Sequence, residues 1–373
     1  MGLEPFIERI GEDWTFATAG LAIGLAFGFL AQRSRFCLRS AVIEFSRNVT
    51  GGKLTVWLFA FATAVLATQW LVLAGAFDAS DARQIAARGS LSGAAVGGAL
   101  FGMGMILARG CSSRLLVLAA QGNLRSVLSG LIFAVSAQAA WTGALSPLRL
   151  AISEWWTVDG GASRDLIART GIGHGGAMLF GAVWLAAAIF WARRQRVPVW
   201  GWAGAVGVGL TIAAAWWATY AIGKASFDPH PIQALSFTGP SSEVLTRVLF
   251  VTDKPPTFDL GLVPGVFLGS FIAAALFHEL KLEGFGGGPS MRRYMIGAVA
   301  MGFGGMLAGG CAVGAGLSGA AVFTITSWVT LCCMWAAAAL TDRLLDQRPV
   351  HHAGQALDQA MPGHAAHSPS ASA

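Results

Sequence analysis

Nine stretches of the chain stay apolar for roughly 17–25 residues, the length that carries a helix across the hydrocarbon core of a bilayer. They cover about 14–31, 54–76, 91–109, 123–145, 175–193, 198–222, 260–280, 291–309 and 322–341. Backbone amides in lipid have no water to bind, so such segments must close their hydrogen bonds internally as helices. Composition fits that reading: 12% of residues are charged, about half the fraction usual in soluble domains, and mean hydropathy is +0.61. Tryptophans fall near the ends of the runs, at Trp14, Trp57, Trp141, Trp191, Trp200 and Trp202, where an amphipathic ring sits at headgroup level. The 49 glycines suit close helix contact and broken helices in lipid. The net charge of +6 comes without a basic stripe interleaved with aromatics, which excludes nucleic acid as a partner. The expected fold is an all-α polytopic membrane protein of about nine spans.

Three apolar pieces, 36–46, 111–121 and 311–320, are too short to cross and too apolar to be solvated. Each reads as a re-entrant half-helix. Arginine placement sets the orientation. The odd-numbered connections hold Arg33, Arg35, Arg39, Arg47, Lys53, Arg193, Arg194, Arg196, Lys281, Arg292 and Arg293, while the even-numbered ones are longer and poorer in cations. This predicts odd connections in the cytoplasm of a bacterial inner-membrane protein, with the N-terminus periplasmic and the C-terminus cytoplasmic. The acidic start, "MGLEPFIERIGEDW", argues against a cleaved signal peptide. The tail after Arg343, with His351, His352, His364 and His367, reads as disordered. Five cysteines without paired extracellular spacing, CxxC or zinc spacing predict neither a disulfide framework nor a metal site. No Walker A motif is present, so ATP hydrolysis is not expected, and no cofactor is called for.

The chain repeats itself. "GMGMILARGC" (102–111) lies against "GFGGMLAGGC" (302–311), with Gly102/Gly302, Gly104/Gly304, Leu107/Leu307, Ala108/Ala308, Gly110/Gly310 and Cys111/Cys311 matched at a constant offset of 200. Flanking spans follow at similar spacing, corresponding spans lying five apart in order. Five is odd, so the two copies have opposite orientations in the membrane. Inverted repeats around broken helices are typical of secondary transporters, with the substrate site at the repeat interface. The expected organisation is a first repeat over 1–145, a periplasmic connection and linker helix over 146–197, a second repeat over 198–343 and a tail over 344–373.

At these residues the sequence resembles the YeeE/YedE family of membrane proteins, which take up thiosulfate or handle related sulfur or selenium compounds. "QRSRFCLRSA" (32–41), "GMGMILARGCSSRLLVLAAQGNLRS" (102–126) and "GFGGMLAGGCAVGAGLSG" (302–319) carry the resemblance, which spans about 15–340. It implies import of thiosulfate or a related inorganic sulfur anion, relayed along Cys37, Cys111 and Cys311. Phe237 stands two hundred residues after Cys37, so three relay thiols are expected and not four. The resemblance also implies a small TusA-like sulfur-carrier partner in the cytoplasm.

The chemistry fits such a role. Half-helix N-termini offer unpaired N–H groups and a partial positive charge, here at Gly110, Cys111, Ser112 and Ser113 and at Gly310, Cys311 and Ala312. A thiol adds a weak donor and a polarizable acceptor, and weak contacts let an ion leave. Arg35, Arg109 and Arg114 are the anion-attracting candidates. The relay requires neutral thiols, because a thiolate would repel a dianion. A membrane sulfurtransferase forming a persulfide on Cys111 or Cys311 would need the thiolate; that enzyme, or a transporter of another sulfur or selenium compound, is the rival reading. Cys332 and Cys333 read as packing residues. The proline-broken stretch 228–243 is expected to be the second half's counterpart of the Cys37 segment.

Overall fold

A computed structural model describes residues 9–49, 51–228, 230–250, 255–285 and 288–346. The histidine-bearing tail therefore lies outside the described residues. The helices of nine or more residues, in chain order, are α1 (Glu12–Ser34), α2 (Leu38–Ser46), α3 (Gly52–Leu73), α4 (Leu91–Leu107), α5 (Ser112–Ala120), α6 (Leu124–Trp141) and α7 (Ser146–Glu154). After them come α8 (Gly173–Gln195), α9 (Val199–Ala225), α10 (Thr238–Leu249), α11 (Phe258–Leu276), α12 (Gly288–Leu307) and α13 (Ile325–Leu345). Among the described residues, eight helical segments are long and apolar enough to cross a membrane. The remaining expected span is α12, a 20-residue helix whose first turns carry Arg292 and Arg293. Several helices start on side-chain caps, which satisfy amides left open at a helix N-terminus. Ser90 accepts from the Gly93 N–H at 2.8 Å, Asn123 from Ser126 at 2.9 Å and Thr257 from Leu260 at 3.2 Å.

Helix packing repeats across the 200-residue offset. The α1–α11 contact has its counterpart in α9–α3, and α4–α13 in α12–α6. The half-helix α2 lies on α3 and α13, as α10 lies on α11 and α6. At the centre α4 and α12 cross antiparallel with their backbones in contact. A Cβ added to Gly97 would stand 2.5 Å from the Gly304 carbonyl oxygen, and one added to Gly304 would stand 2.7 Å from that of Gly97. Gly104 and Gly297 are matched in the same way, at 2.6 and 2.7 Å. The offset of 200 converts the first pair into the second. Glycine is what lets the two backbones meet, since any side chain would force them apart.

Two of the three expected half-helices form as regular helix, α2 and α5. The third differs: Gly314–Gly319 is a π-helical turn, in which the Ser318 N–H reaches the Val313 carbonyl at 2.9 Å. The wider coil brings Gly314 against Ser236 and Gly319 against Ser327, contacts that leave no room for a Cβ. Such π turns recur at functional sites.

Odd-numbered connections gather at one end of the bundle, where Arg33 and Arg35 meet Glu279 at 3.2 and 3.7 Å. Arg47 binds Asp342 at 2.7 Å and Arg293 binds Asp346 at 2.9 Å. Even-numbered connections gather at the other end. There β1 (Gly89–Ser90) pairs antiparallel with β2 (Thr157–Val158), and the Arg83 N–H donates to the Ile232 carbonyl at 2.9 Å.

Candidate functional site

The site is built on four chain breaks. Cys37 is the N-cap of α2, Cys111 the N-cap of α5 and Phe237 the N-cap of α10, while Cys311 precedes the π-helical turn. The three cysteine breaks follow spans that end in a tight reversal. Arg109 and Gly309 hold corresponding left-handed conformations, with φ of 57° and 73°. Arg35 ends α1 the same way, at φ 53°. In each case the left-handed residue turns the chain so that the next residues start a new helix inside the bundle.

All three predicted thiols are free and buried. The Cys37 and Cys111 side chains face each other within interaction range, and Cys111 Sγ lies 3.4 Å from Ser113 Oγ. Ser112 is buried with its hydroxyl unpartnered. Cys311 has different neighbours. Its sulfur accepts the Phe237 N–H at 3.3 Å and the Gly314 N–H at 3.4 Å, with Ser236 Oγ at 4.0 Å. Two amide donors on the sulfur leave the thiol's own hydrogen to donate elsewhere. Among the described residues no hydrogen bond joins Cys311 to the other two cysteines. Gly310 and Ala312 are buried on either side of Cys311.

The predicted arginines sit at the end where the odd connections gather. Arg35 approaches Glu279. Arg109 is exposed, with its guanidinium 5.8 Å from the Tyr294 ring centre. Arg114 is partly buried, with Nη1 buried and unpartnered, in the electrostatic reach of Cys37 and Cys111. Arg39 joins it there, within electrostatic reach of Cys37.

At the other end a cavity of about 1020 Å³ opens onto Gly309 and Gly310, immediately before Cys311. Five arginines line it: Arg83, Arg88, Arg149, Arg164 and Arg247. Glu154, Glu243 and Asp259 supply the carboxylates, of which Glu243 is held by Arg247 at 3.2 Å. Burial pushes the Arg164 guanidinium down to about 10 and the Arg149 guanidinium down as well; a value of about 10 leaves Arg164 cationic at neutral pH. The sequence reading passed over these arginines, because they lie in the even connections that are poor in cations overall. Ser236 and Thr238 were likewise not singled out. Their signal was the 200-residue offset, which places them on either side of Phe237, the counterpart of Cys37.

Buried thiols thus stand at three helix breaks, and a basic cavity opens beside one of them; comparison with known proteins finds relatives that handle a sulfur anion. Over 331 residues the chain is 25% identical to a protein of Spirochaeta thermophila named thiosulfate transporter TsuA, covering 85% of this chain and 94% of the relative. The thiosulfate transporter TsuA of Escherichia coli is also 25% identical, over 349 residues covering 84% of this chain and 90% of that protein. A family model described as sulphur transport matches residues 33–340, which include every helix break and every cysteine discussed above. The chain belongs to this sulphur-transport family, the YeeE/YedE family of multi-pass membrane proteins.

Proposed function

We propose that the protein imports thiosulfate, or a closely related inorganic sulfur anion, across the bacterial inner membrane. The observation that carries the reading is Cys311: a buried thiol, fed by two backbone N–H groups, directly following a glycine that lines a cavity with five arginines. In this reading the even connections face the periplasm, with the N-terminus outside and the C-terminus inside. The arginines concentrate the anion in the cavity, as a cleft lined by one sign of charge does. The terminal sulfur of the anion then accepts from the Cys311 S–H, and afterwards from Cys111 and Cys37 in the opposite half. Thiol contacts are weak, so the ion is held without being trapped. Arg114 and Arg35 draw it towards the cytoplasmic end, where a TusA-like carrier takes the sulfur. The reciprocal helix contacts and the antiparallel crossing of α4 and α12 support two inverted repeats, over 1–145 and 198–343, joined by the connection and linker helix of 146–197.

The experiment is uptake of sulfur-labelled thiosulfate into proteoliposomes, comparing the natural protein with Cys111→Ser and Cys311→Ser. Loss of uptake in both variants, with intact folding, supports the relay. Uptake at the natural rate in both sinks it. A persulfide trapped on Cys111 or Cys311 during turnover would overturn the transporter reading in favour of sulfur transfer.

A further inference from the structure

Arg164 comes from the long connection between α7 and α8 and has no counterpart in the repeat. Backbone pairing fixes its place. The Ile325 N–H donates to the Arg164 carbonyl at 2.9 Å, and the Leu166 N–H donates to the Phe323 carbonyl at 3.0 Å. These bonds clamp the segment onto the loop that follows the Cys311 turn. The residue is 7% exposed. Its guanidinium donates to Thr326 Oγ1 at 2.7 Å and to the Ala87 carbonyl, while Nε is buried without a partner.

Both partners are neutral, and among the described residues no carboxylate lies within ion-pair distance of this arginine. Burial alone accounts for the displacement of its titration. A buried, unpaired cation is costly unless something compensates it. The same cavity holds a second unsatisfied group. Thr238, 1% exposed at the start of α10, has its hydroxyl buried and unpartnered. The two groups lie on elements remote in sequence and share one cavity with Gly309 and Gly310.

We infer that Arg164 and Thr238 form a capture site for the oxygen-bearing end of the substrate, a sulfonate-like oxyanion, ahead of the first thiol. The site rests on the reading that a sulfur oxyanion enters by this cavity. Arginine suits the task because its planar fork matches two oxygens of such a group. The hydroxyl adds a neutral donor, and the sulfur end of the anion remains available to Cys311. Selection is thus divided: the cavity recognises the oxyanion, and the thiols recognise the sulfur. Sulfate satisfies the first test only, so it competes for capture without being passed on.

The test is equilibrium dialysis of labelled thiosulfate against the full-length protein in detergent, with sulfate and chloride as competitors. Arg164→Gln is expected to weaken binding about tenfold or more, the effect of losing a hydrogen bond to a charged group. Arg164→Lys, which keeps the charge and loses the fork, weakens it by about threefold. Thr238→Val weakens it by about threefold without touching the Arg164 clamp, so it decides the matter if Arg164→Gln does not fold. Sulfate is expected to displace thiosulfate where chloride does not. Unchanged binding in folded Arg164→Gln or in Thr238→Val overturns the inference, as does absence of saturable binding to the natural protein. Arg164-dependent binding without uptake leaves the capture site standing and removes the relay. Cysteine-dependent uptake with an unaltered half-saturating concentration in Thr238→Val does the reverse.

Discussion

The sulfur of Cys311 accepts the backbone N–H of Phe237 at 3.3 Å. In the other half the equivalent break holds Cys37, whose thiol faces Cys111. Among the differences between the two halves is a thiol–thiol contact on one side and a thiol–amide contact on the other. Phe237 is fully buried and packs on Phe27 with ring centres 5.3 Å apart, so this position fills space where Cys37 offers a donor.

Cys311→Ala removes the donor and keeps the turn. Uptake is expected to fall about tenfold or more, the size of a lost hydrogen bond to an ion, while thermal stability falls by only about 1 kcal/mol because a single sulfur is deleted. Parallel uptake and melting measurements check this. A loss of uptake matched by a collapse in stability would assign Cys311 to packing.

The crossing of α4 and α12 is expected to tolerate no side chain. Gly97→Ala places a Cβ 2.5 Å from the Gly304 carbonyl and the Ala308 amide nitrogen. Overpacking of that kind costs about 1–3 kcal/mol. Gly304→Ala acts on the same contact, so the double variant is expected to cost less than the sum of the two. Thermal unfolding in detergent of both singles and the double tests the seam, and simple additivity would contradict it.

Arg109 occupies the left-handed conformation that the other half gives to Gly309. A left-handed non-glycine residue costs about 1–2 kcal/mol. Arg109→Gly is therefore expected to raise the melting temperature. Its side chain is exposed and lies at the end away from the cavity, so uptake is expected to change by less than about threefold, as surface charges are screened. A tenfold loss of uptake would instead make Arg109 part of the path.

Asp346 is bound by Arg293 at 2.9 Å, and that contact pulls its carboxyl below the usual carboxylate range. A group whose folded value is depressed contributes stability above its unfolded value and loses it as pH falls through the folded one. The natural protein is thus expected to lose on the order of 1 kcal/mol below about pH 4. Asp346→Asn lacks this acid-sensitive step, which melting curves at pH 3 to 7 would show.

The spans, the break at Gly110–Cys111 and the exceptional place of Phe237 were legible because each depends on local chemistry: an apolar run of set length, a glycine before a cysteine, a fixed offset between two copies. The π-helical turn after Cys311 was not, since its sequence, "GAGLSG" (314–319), is compatible with an ordinary half-helix. The wider coil packs against Ser236 and Ser327, residues outside the turn that the local sequence does not name. Arg164 escaped notice for a similar reason. Its meaning comes from backbone bonds to residues 323 and 325, and no local pattern records a pairing between a connection and a distant turn.

The glycine seam bears on the energetics of import. Helices that touch backbone to backbone at the centre have little room to slide or rock past one another. In the proposed import, a frame held still in this way would conduct the substrate and do no work on it. Against an inside-negative potential, a dianion moving inward is opposed by about 2.3 kcal/mol for each of its charges per 100 mV. Under the proposed import, net flow depends on how fast the inner face is emptied, which would make the proposed cytoplasmic sulfur acceptor the engine of accumulation.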